Sequence, residues 1–76
     1  MDRKQKLIDA FVSTFGLSAS EAEQATFKLT RQWDSVGHVN LMNAIEESFG
    51  ISLDPDDIID IKSFGKGLEI LEKYES

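Results

Sequence analysis

The stretch Gln32–Ile51, QWDSVGHVNLMNAIEESFGI, decides the fold. From Ser35 onward, Val36, Val39, Met42, Ile45 and Phe49 recur at spacings of three and four. That is the period at which an α-helix gathers side chains on one face. Leu41 and Ala44 widen the stripe, and Gly50 stands where a left-handed residue ends a helix. The helix is therefore predicted over about Ser35 to Phe49. Its start is ambiguous in an informative way. Asp34 and Ser35 are both residue types whose side-chain oxygens cap helices by accepting from free backbone N–H groups. Ser35 is then either a cap, or a hydroxyl displayed on the rim beside the positive end of the helix dipole, where an esterified phosphate is favourably placed. Val36, apolar at the open end of the helix, has no evident task if Ser35 only caps.

Outward from this helix the chain is easily divided. On the N-terminal side, DRKQKLIDAFVSTF (2–15) places Leu7, Ile8, Phe11, Val12 and Phe15 on one helical stripe, with Asp2 as cap and Gly16 as stop. The following SASEAEQATFKLTRQW (18–33) is weaker. It contains two capping-box patterns, Ser18 with Glu21 and Ser20 with Glu23, so a short helical turn is expected after one of them. Leu17, Phe27, Leu29 and Trp33 are spaced as anchors that pin a long first connection onto a core. A connection of this length is uncommon in a compact domain and often carries function.

On the C-terminal side, ISLDPDD (51–57) reads as an extended link into a short helix through Ile58, Ile59 and Ile61. Asp54 can cap it, Pro55 suits its first position, and Asp56 and Asp57 favour its dipole. Ser63 opens a closing helix with Phe64, Leu68, Leu71 and Tyr74, whose first turn Gly65 and Gly67 weaken. Leu7, Phe11, Leu41, Ile45, Ile61, Leu68 and Leu71 form the expected core. No stretch alternates strictly enough for a sheet. The expectation is all-α: a small four-helix bundle of three longer helices and one short one, forming a single domain over 1–76.

Composition narrows the function. Seventy-six residues support one small domain. Fourteen acidic residues against eight basic ones give a formal charge of −6, which repels nucleic acid and steers the chain toward basic surfaces. There is no cysteine for a disulfide framework or a thiolate metal site. No signal-peptide pattern opens the chain, and no segment approaches the roughly 20 apolar residues of a membrane span. A cytoplasmic monomer without membrane insertion is expected.

Asp34, Ser35 and His38 invite a catalytic reading, but neighbours on one helix do not supply triad geometry, and no oxyanion-hole glycines accompany them. His38 is expected to border a docking surface and to reach a phosphate when protonated. The run Asp54–Asp60 is no EF-hand, since its fifth and sixth positions are Ile58 and Ile59. No metal site is predicted.

The segment DSVGHVNLMNAIEESFGI resembles the acyl carrier proteins, whose attachment motif is Asp-Ser-Leu ahead of an amphipathic helix. The resemblance spans essentially the whole chain, with AIEESFGI (44–51) and DPDDIIDIKSFGKGLEIL (54–71) at the family's spacing. It implies that Ser35, with Asp34 as motif partner, receives a 4′-phosphopantetheine arm from coenzyme A through a magnesium-dependent phosphopantetheinyl transferase. The arm's thiol would hold acyl or aminoacyl groups as thioesters, made by an activating ligase and used by acyltransferases or synthases. The chain itself would be no enzyme. Val36, His38, Met42, Glu46 and Glu47 would belong to the partner-recognition face.

The sequence departs from the carriers of fatty-acid synthesis at Val36-Gly37 and Asn40, which weakens the negative stripe they use for docking. DSVGHVNL is similar in this respect to the D-alanyl carriers of teichoic-acid synthesis. It is also similar to specialised carriers linked to polysaccharide, polyketide or other secondary metabolism. Peptidyl carriers match less well, because Gln32-Trp33 replaces their Gly-Gly. The alternative outside the family is an unmodified acidic interaction domain.

Overall fold

The computed structural model describes residues 2–75, with side chains through Tyr74. Five helices follow one another: α1 (Arg3–Phe15), α2 (Ala19–Glu23), α3 (Ser35–Phe49), α4 (Pro55–Asp60) and α5 (Phe64–Glu75). The three long helices and the short α4 match the sequence expectation. The turn expected after a capping box is α2, and the box used is Ser18–Glu21. Glu21 N–H donates to Ser18 Oγ at 3.2 Å, and Ser18 N–H donates back to Glu21 Oε1 at 2.9 Å.

The helix ends follow their local chemistry. Lys4 N–H donates to Asp2 Oδ1 at the start of α1, and Lys66 N–H donates to Ser63 Oγ at the start of α5. Gly16 and Gly50 close α1 and α3 with φ of +68° and +65°, a conformation that costs glycine little. Asp54 departs from expectation: its side chain makes no cap bond to α4. Asp57, expected to serve the same helix from the surface, is instead buried. It accepts from Tyr74 Oη at 2.5 Å and from Lys73 Nζ at 2.9 Å, while Asp54 N–H donates to Tyr74 Oη. This clasp fastens α4 to the end of α5.

The core lies where α1 packs on α3 and α5. Leu7, Phe11, Leu41, Ile45, Ile61 and Leu71 are fully buried, and Leu68 is half-buried. Removing each such large side chain from water stabilises the fold by about 1.5–3 kcal/mol. Phe11 is the hub of an aromatic cluster, meeting Phe15, Trp33 and Phe64 edge-on at centroid distances of 5.9, 5.1 and 5.4 Å. Edge-to-face pairs of this kind add about 0.5–1.5 kcal/mol each beyond area burial.

The connection 24–34 is ordered by backbone bonds that a long loop rarely has. Phe27 N–H donates to Lys62 O at 2.8 Å and Phe64 N–H to Ala25 O at 3.1 Å, an isolated antiparallel bridge to the α4–α5 junction. Lys28 then takes a left-handed φ of +71°, and its N–H donates to Trp33 O at 2.8 Å. That turn sends Trp33 into the core, fully buried, and leaves Leu29 at its tip 85 % exposed. Of the four anchors expected in this connection, Trp33 is buried, Leu17 and Phe27 are half-buried, and Leu29 is not an anchor.

Candidate functional site

The site is the N-terminus of α3, where Asp34 and Ser35 divide two tasks. Asp34 has extended backbone, with φ −105° and ψ −165°, and its Oδ1 accepts from Gly37 N–H at 2.8 Å. Its carbonyl accepts from His38 N–H at 2.8 Å, the first bond of the helix. Asp34 is therefore the cap. Ser35 is the first helical residue, exposed, and its hydroxyl has no hydrogen bond among the described residues. A hydroxyl that does no structural work, at the positive end of a fifteen-residue helix, is the arrangement that an anionic ester there requires.

The side chains behind Ser35 hold it in place. Gly37 is buried because α3 comes within contact of the Gln32 backbone and the Phe15 ring. A Cβ at Gly37 would fall well inside 3.0 Å of Gln32 O, and at 3.1 Å from Phe15 Cε1. Gln32 in turn donates from Nε2 to Phe15 O at 3.3 Å, pinning the approach to the site onto the end of α1. The glycine is thus a packing residue.

His38 joins three segments. Trp33 Nε1–H donates to His38 Nδ1 at 2.9 Å, and His38 Nε2 lies 2.7 Å from Ile58 O. A carbonyl only accepts, so Nε2 carries the proton and Nδ1 receives the indole hydrogen: the neutral Nε2–H tautomer. The Phe27 ring meets the imidazole edge-on at 5.4 Å, and the Trp33 ring lies nearly parallel to it, 13° from coplanar. The connection, α3 and α4 are tied together at this one side chain. A phosphate contact would have to displace one of these bonds. His38 is a brace behind the site, with both ring nitrogens engaged by the protein.

The other expected recognition residues separate. Val36 and Val39 are 71 % and 59 % exposed, so Val39 belongs to the surface and not to the core stripe. Met42 is 4 % exposed and packed in the core, where it is unavailable to a partner. Gly37, Leu41 and Ile45 set the buried line at spacings of four, and Met42 falls beside it. Glu46 is half-buried, with its Oε2 accepting from Leu53 N–H at 2.8 Å across the α3–α4 link. Glu47 is exposed. Sequence reading missed the tie from His38 to Ile58 O, for which a backbone carbonyl twenty residues away leaves no signal. It also missed Ile59, 62 % exposed on α4.

Comparison with known proteins adds to this geometry. Over 71 residues, 92 % of this chain, it is 32 % identical to proteins named acyl carrier protein from two strains of Porphyromonas gingivalis. The match takes in 91 % of each relative's length. The chain belongs to the acyl carrier protein family. Its helical bundle is that of a small carrier, and its role is to carry. No protein-family model matches it, and neither does a solved structure. Among the described residues, no helix of this carrier is long and apolar enough to cross a membrane.

Proposed function

We propose that Ser35 is the attachment point of a 4′-phosphopantetheine arm and that the protein presents acyl or aminoacyl groups on it to partner enzymes. The observation that carries this reading is the division of labour at the start of α3: Asp34 caps, and the exposed Ser35 hydroxyl has no hydrogen bond among the described residues. When bound, the arm supplies the thiol that this cysteine-free chain lacks. The chain's own residues orient its base. The N-terminal N–H groups of α3 favour the phosphodiester charge, and the Trp33–His38 brace fixes the helix end from behind.

Tethering raises the local concentration of the cargo at each enzyme that docks. The partners in this reading are a phosphopantetheinyl transferase, an acyl- or aminoacyl-activating ligase, and acyltransferases or synthases, all cytoplasmic. Gly37 suggested the D-alanyl carriers in the sequence, but its packing against Gln32 explains it without reference to cargo. It therefore gives the aminoacyl reading no separate support.

The test is intact-mass spectrometry after incubation with coenzyme A, magnesium and a broad-specificity phosphopantetheinyl transferase. One arm is expected on Ser35 and none on the Ser35→Ala variant. An unmodified protein, as an acidic interaction domain would give, overturns the proposal.

A further inference from the structure

The chain holds one histidine and one tryptophan, and the two are bonded to each other. His38 is half-buried and uses both ring nitrogens. Nδ1 accepts from the fully buried Trp33 indole at 2.9 Å, and Nε2–H donates to Ile58 O at 2.7 Å. The indole N–H has no other hydrogen-bond partner among the described residues. Only a neutral imidazole fills both roles, because the charged ring is a donor at each nitrogen and an acceptor at neither. A proton arriving at Nδ1 sets N–H against N–H across the same 2.9 Å. The Nε2 bond to a carbonyl, by contrast, becomes charge-assisted and stronger. The two sides of the brace respond to a proton in opposite ways.

The charges on the surrounding elements do not pair with the ring. On α3 itself, Asp34 is committed to Gly37 N–H, and the next acid, Glu46, is bonded to Leu53 N–H. From the connection, Phe27 meets the imidazole edge-on at 5.4 Å, with the Lys28 ammonium 5.7 Å from its own centroid. The other cation of that segment, Arg31, is exposed. On α4, Asp57 is turned to Lys73 and Tyr74, while Asp54, Asp56 and Asp60 are exposed, as is Lys62 beyond them. Among the described residues, His38 makes no ion pair. Histidine is the side chain that ordinarily changes charge between about pH 5 and 8, and here the charge removes a bond without creating a salt bridge.

We infer that His38 is a proton-operated latch on the residues that precede Ser35: the neutral ring fastens Trp33 to α3, and protonation at Nδ1 frees the indole while the ring stays bonded to Ile58 O. The segment it frees is short and defined. Phe27 N–H to Lys62 O and Phe64 N–H to Ala25 O do not involve the imidazole, so the connection stays fixed as far as Phe27. Beyond that point the turn is closed on itself, by Lys28 N–H to Trp33 O and Trp33 N–H to Thr30 O, and is free to shift as a unit against the start of α3. Gln32 Nε2–H to Phe15 O still restrains it. A buried indole N–H without an acceptor is unfavourable, so the ring turns toward water. Ser35 lies two residues after Trp33, and the latch thereby couples acidity to how firmly the serine is presented. That consequence rests on the carrier reading above; the latch itself does not.

The experiment follows the indole N–H and imidazole nitrogen resonances of the nitrogen-labelled full chain by NMR, from about pH 8 to about pH 5. The Asp57 clasp keeps its charge over this range, because its carboxyl is held below the ordinary 3.8. At the upper end the ring is expected to show the Nε2–H tautomer. As the ring takes up its proton, the indole signal is expected to move with the same midpoint, and its exchange with solvent to quicken about tenfold. The Phe27 and Phe64 amides are expected to keep their protection within about twofold. His38→Asn offers the indole an uncharged acceptor from the same position on α3, and its indole signal is expected to be independent of pH. Should that variant not fold, the parent titration alone decides. Arm transfer from coenzyme A is then timed for both proteins at about pH 8 and about pH 6. The ratio of parent to variant cancels the transferase's own pH profile, and is expected to fall about threefold in acid as positioning is lost. A ring that holds its proton on Nδ1 at about pH 8, that charges while the indole signal stays still, or that stays neutral to about pH 5 overturns the latch. So does an indole shift that persists in His38→Asn. A constant ratio overturns the coupling to Ser35. Absence of modification in both proteins overturns the carrier reading, while the indole titration still decides the latch.

Discussion

Gly37→Ala separates the packing account of this glycine from any account based on recognition. In an unobstructed helix interior, glycine to alanine stabilises by about 0.8–1.0 kcal/mol. At Gly37 the new methyl would meet the Gln32 carbonyl oxygen inside 3.0 Å, with the Gln32 carbonyl carbon at 3.3 Å and Phe15 Cε1 at 3.1 Å behind it. A flexible side chain could swing away from such a contact. This one is backbone, held by the Gln32–Phe15 bond and by the buried Trp33 beside it. Overpacking against rigid neighbours costs about 1–3 kcal/mol, and the upper end applies here. Subtracting the propensity gain leaves a net destabilisation of about 2 kcal/mol. For a domain of about 60–100 residues, each kcal/mol moves Tm by about 4–8 °C, so a fall of about 8–16 °C is expected. Gly65→Ala is the control. Nothing lies within 4 Å of its added Cβ, and in the first turn of α5 it should raise Tm by a few degrees. Far-UV circular dichroism melts and urea titrations on both variants provide the measurement. A Gly37→Ala protein that melts at or above the parent refutes the close approach of α3 to Gln32.

Ser35→Ala should abolish arm attachment and leave Tm within about 1 °C, while Asp34→Ala should cost about 0.5–2 kcal/mol in urea unfolding because it removes the cap; reversed stability effects would show that Ser35 is the structural residue. His38→Ala strips Trp33 Nε1–H and Ile58 O of their partners and should destabilise by about 1–3 kcal/mol with a red shift of tryptophan fluorescence, mass spectrometry still finding Ser35 modified. Unchanged stability in that variant would rule out the brace. The Tyr74 and Lys73 bonds hold the Asp57 carboxyl below its ordinary 3.8 against the opposing effect of burial, so its contribution is present above that value and lost as pH falls through the depressed folded one. The stability gap between the parent and Asp57→Asn, read from urea midpoints between about pH 6 and about pH 2.5, should close in acid, and a gap independent of pH would contradict the clasp. Its partners shift the other way. The Asp57 bond raises Lys73 above 10.5; for Tyr74, the Asp54 N–H bond lowers the value, but the Asp57 bond, burial and nearby carboxylates outweigh it and the net lies above 10.0. Their contributions are present below those ordinary values and lost as pH rises through the folded ones.

Where one face of a helix is plainly apolar and its ends carry cap and glycine, the sequence identifies it. Residues 2–16 are the clear case: Asp2, the stripe from Leu7 to Phe15, and Gly16 all act as expected. The limits of α3 were equally readable, but its orientation was not. Val36, Val39, Leu41, Met42, Ala44 and Ile45 surround so much of the helix that periodicity leaves the inward direction open. That direction is set by the contact between Gly37 and Gln32, which exposes Val39 and buries Met42. The connection 24–34 hid more, since its order comes from a left-handed Lys28 and a bridge to Lys62 and Phe64, long-range features without a local pattern. The attachment serine was legible as one of two capping candidates, and only the Asp34–Gly37 bond distinguishes them. His38 and Asp57 look like surface charges in the sequence, and tertiary hydrogen bonds turn both inward.

The brace beneath Ser35 makes the base of the arm a pivot on a stiff post. Indole, imidazole and a backbone carbonyl lock the ground on which the serine stands, while the serine itself is unencumbered. An enzyme that captures this carrier therefore receives an attachment atom whose bearing relative to the docking face is settled in advance. The motional freedom surrendered at each hand-over is confined to the arm and its load, so successive enzymes avoid the entropy of ordering the protein beneath it.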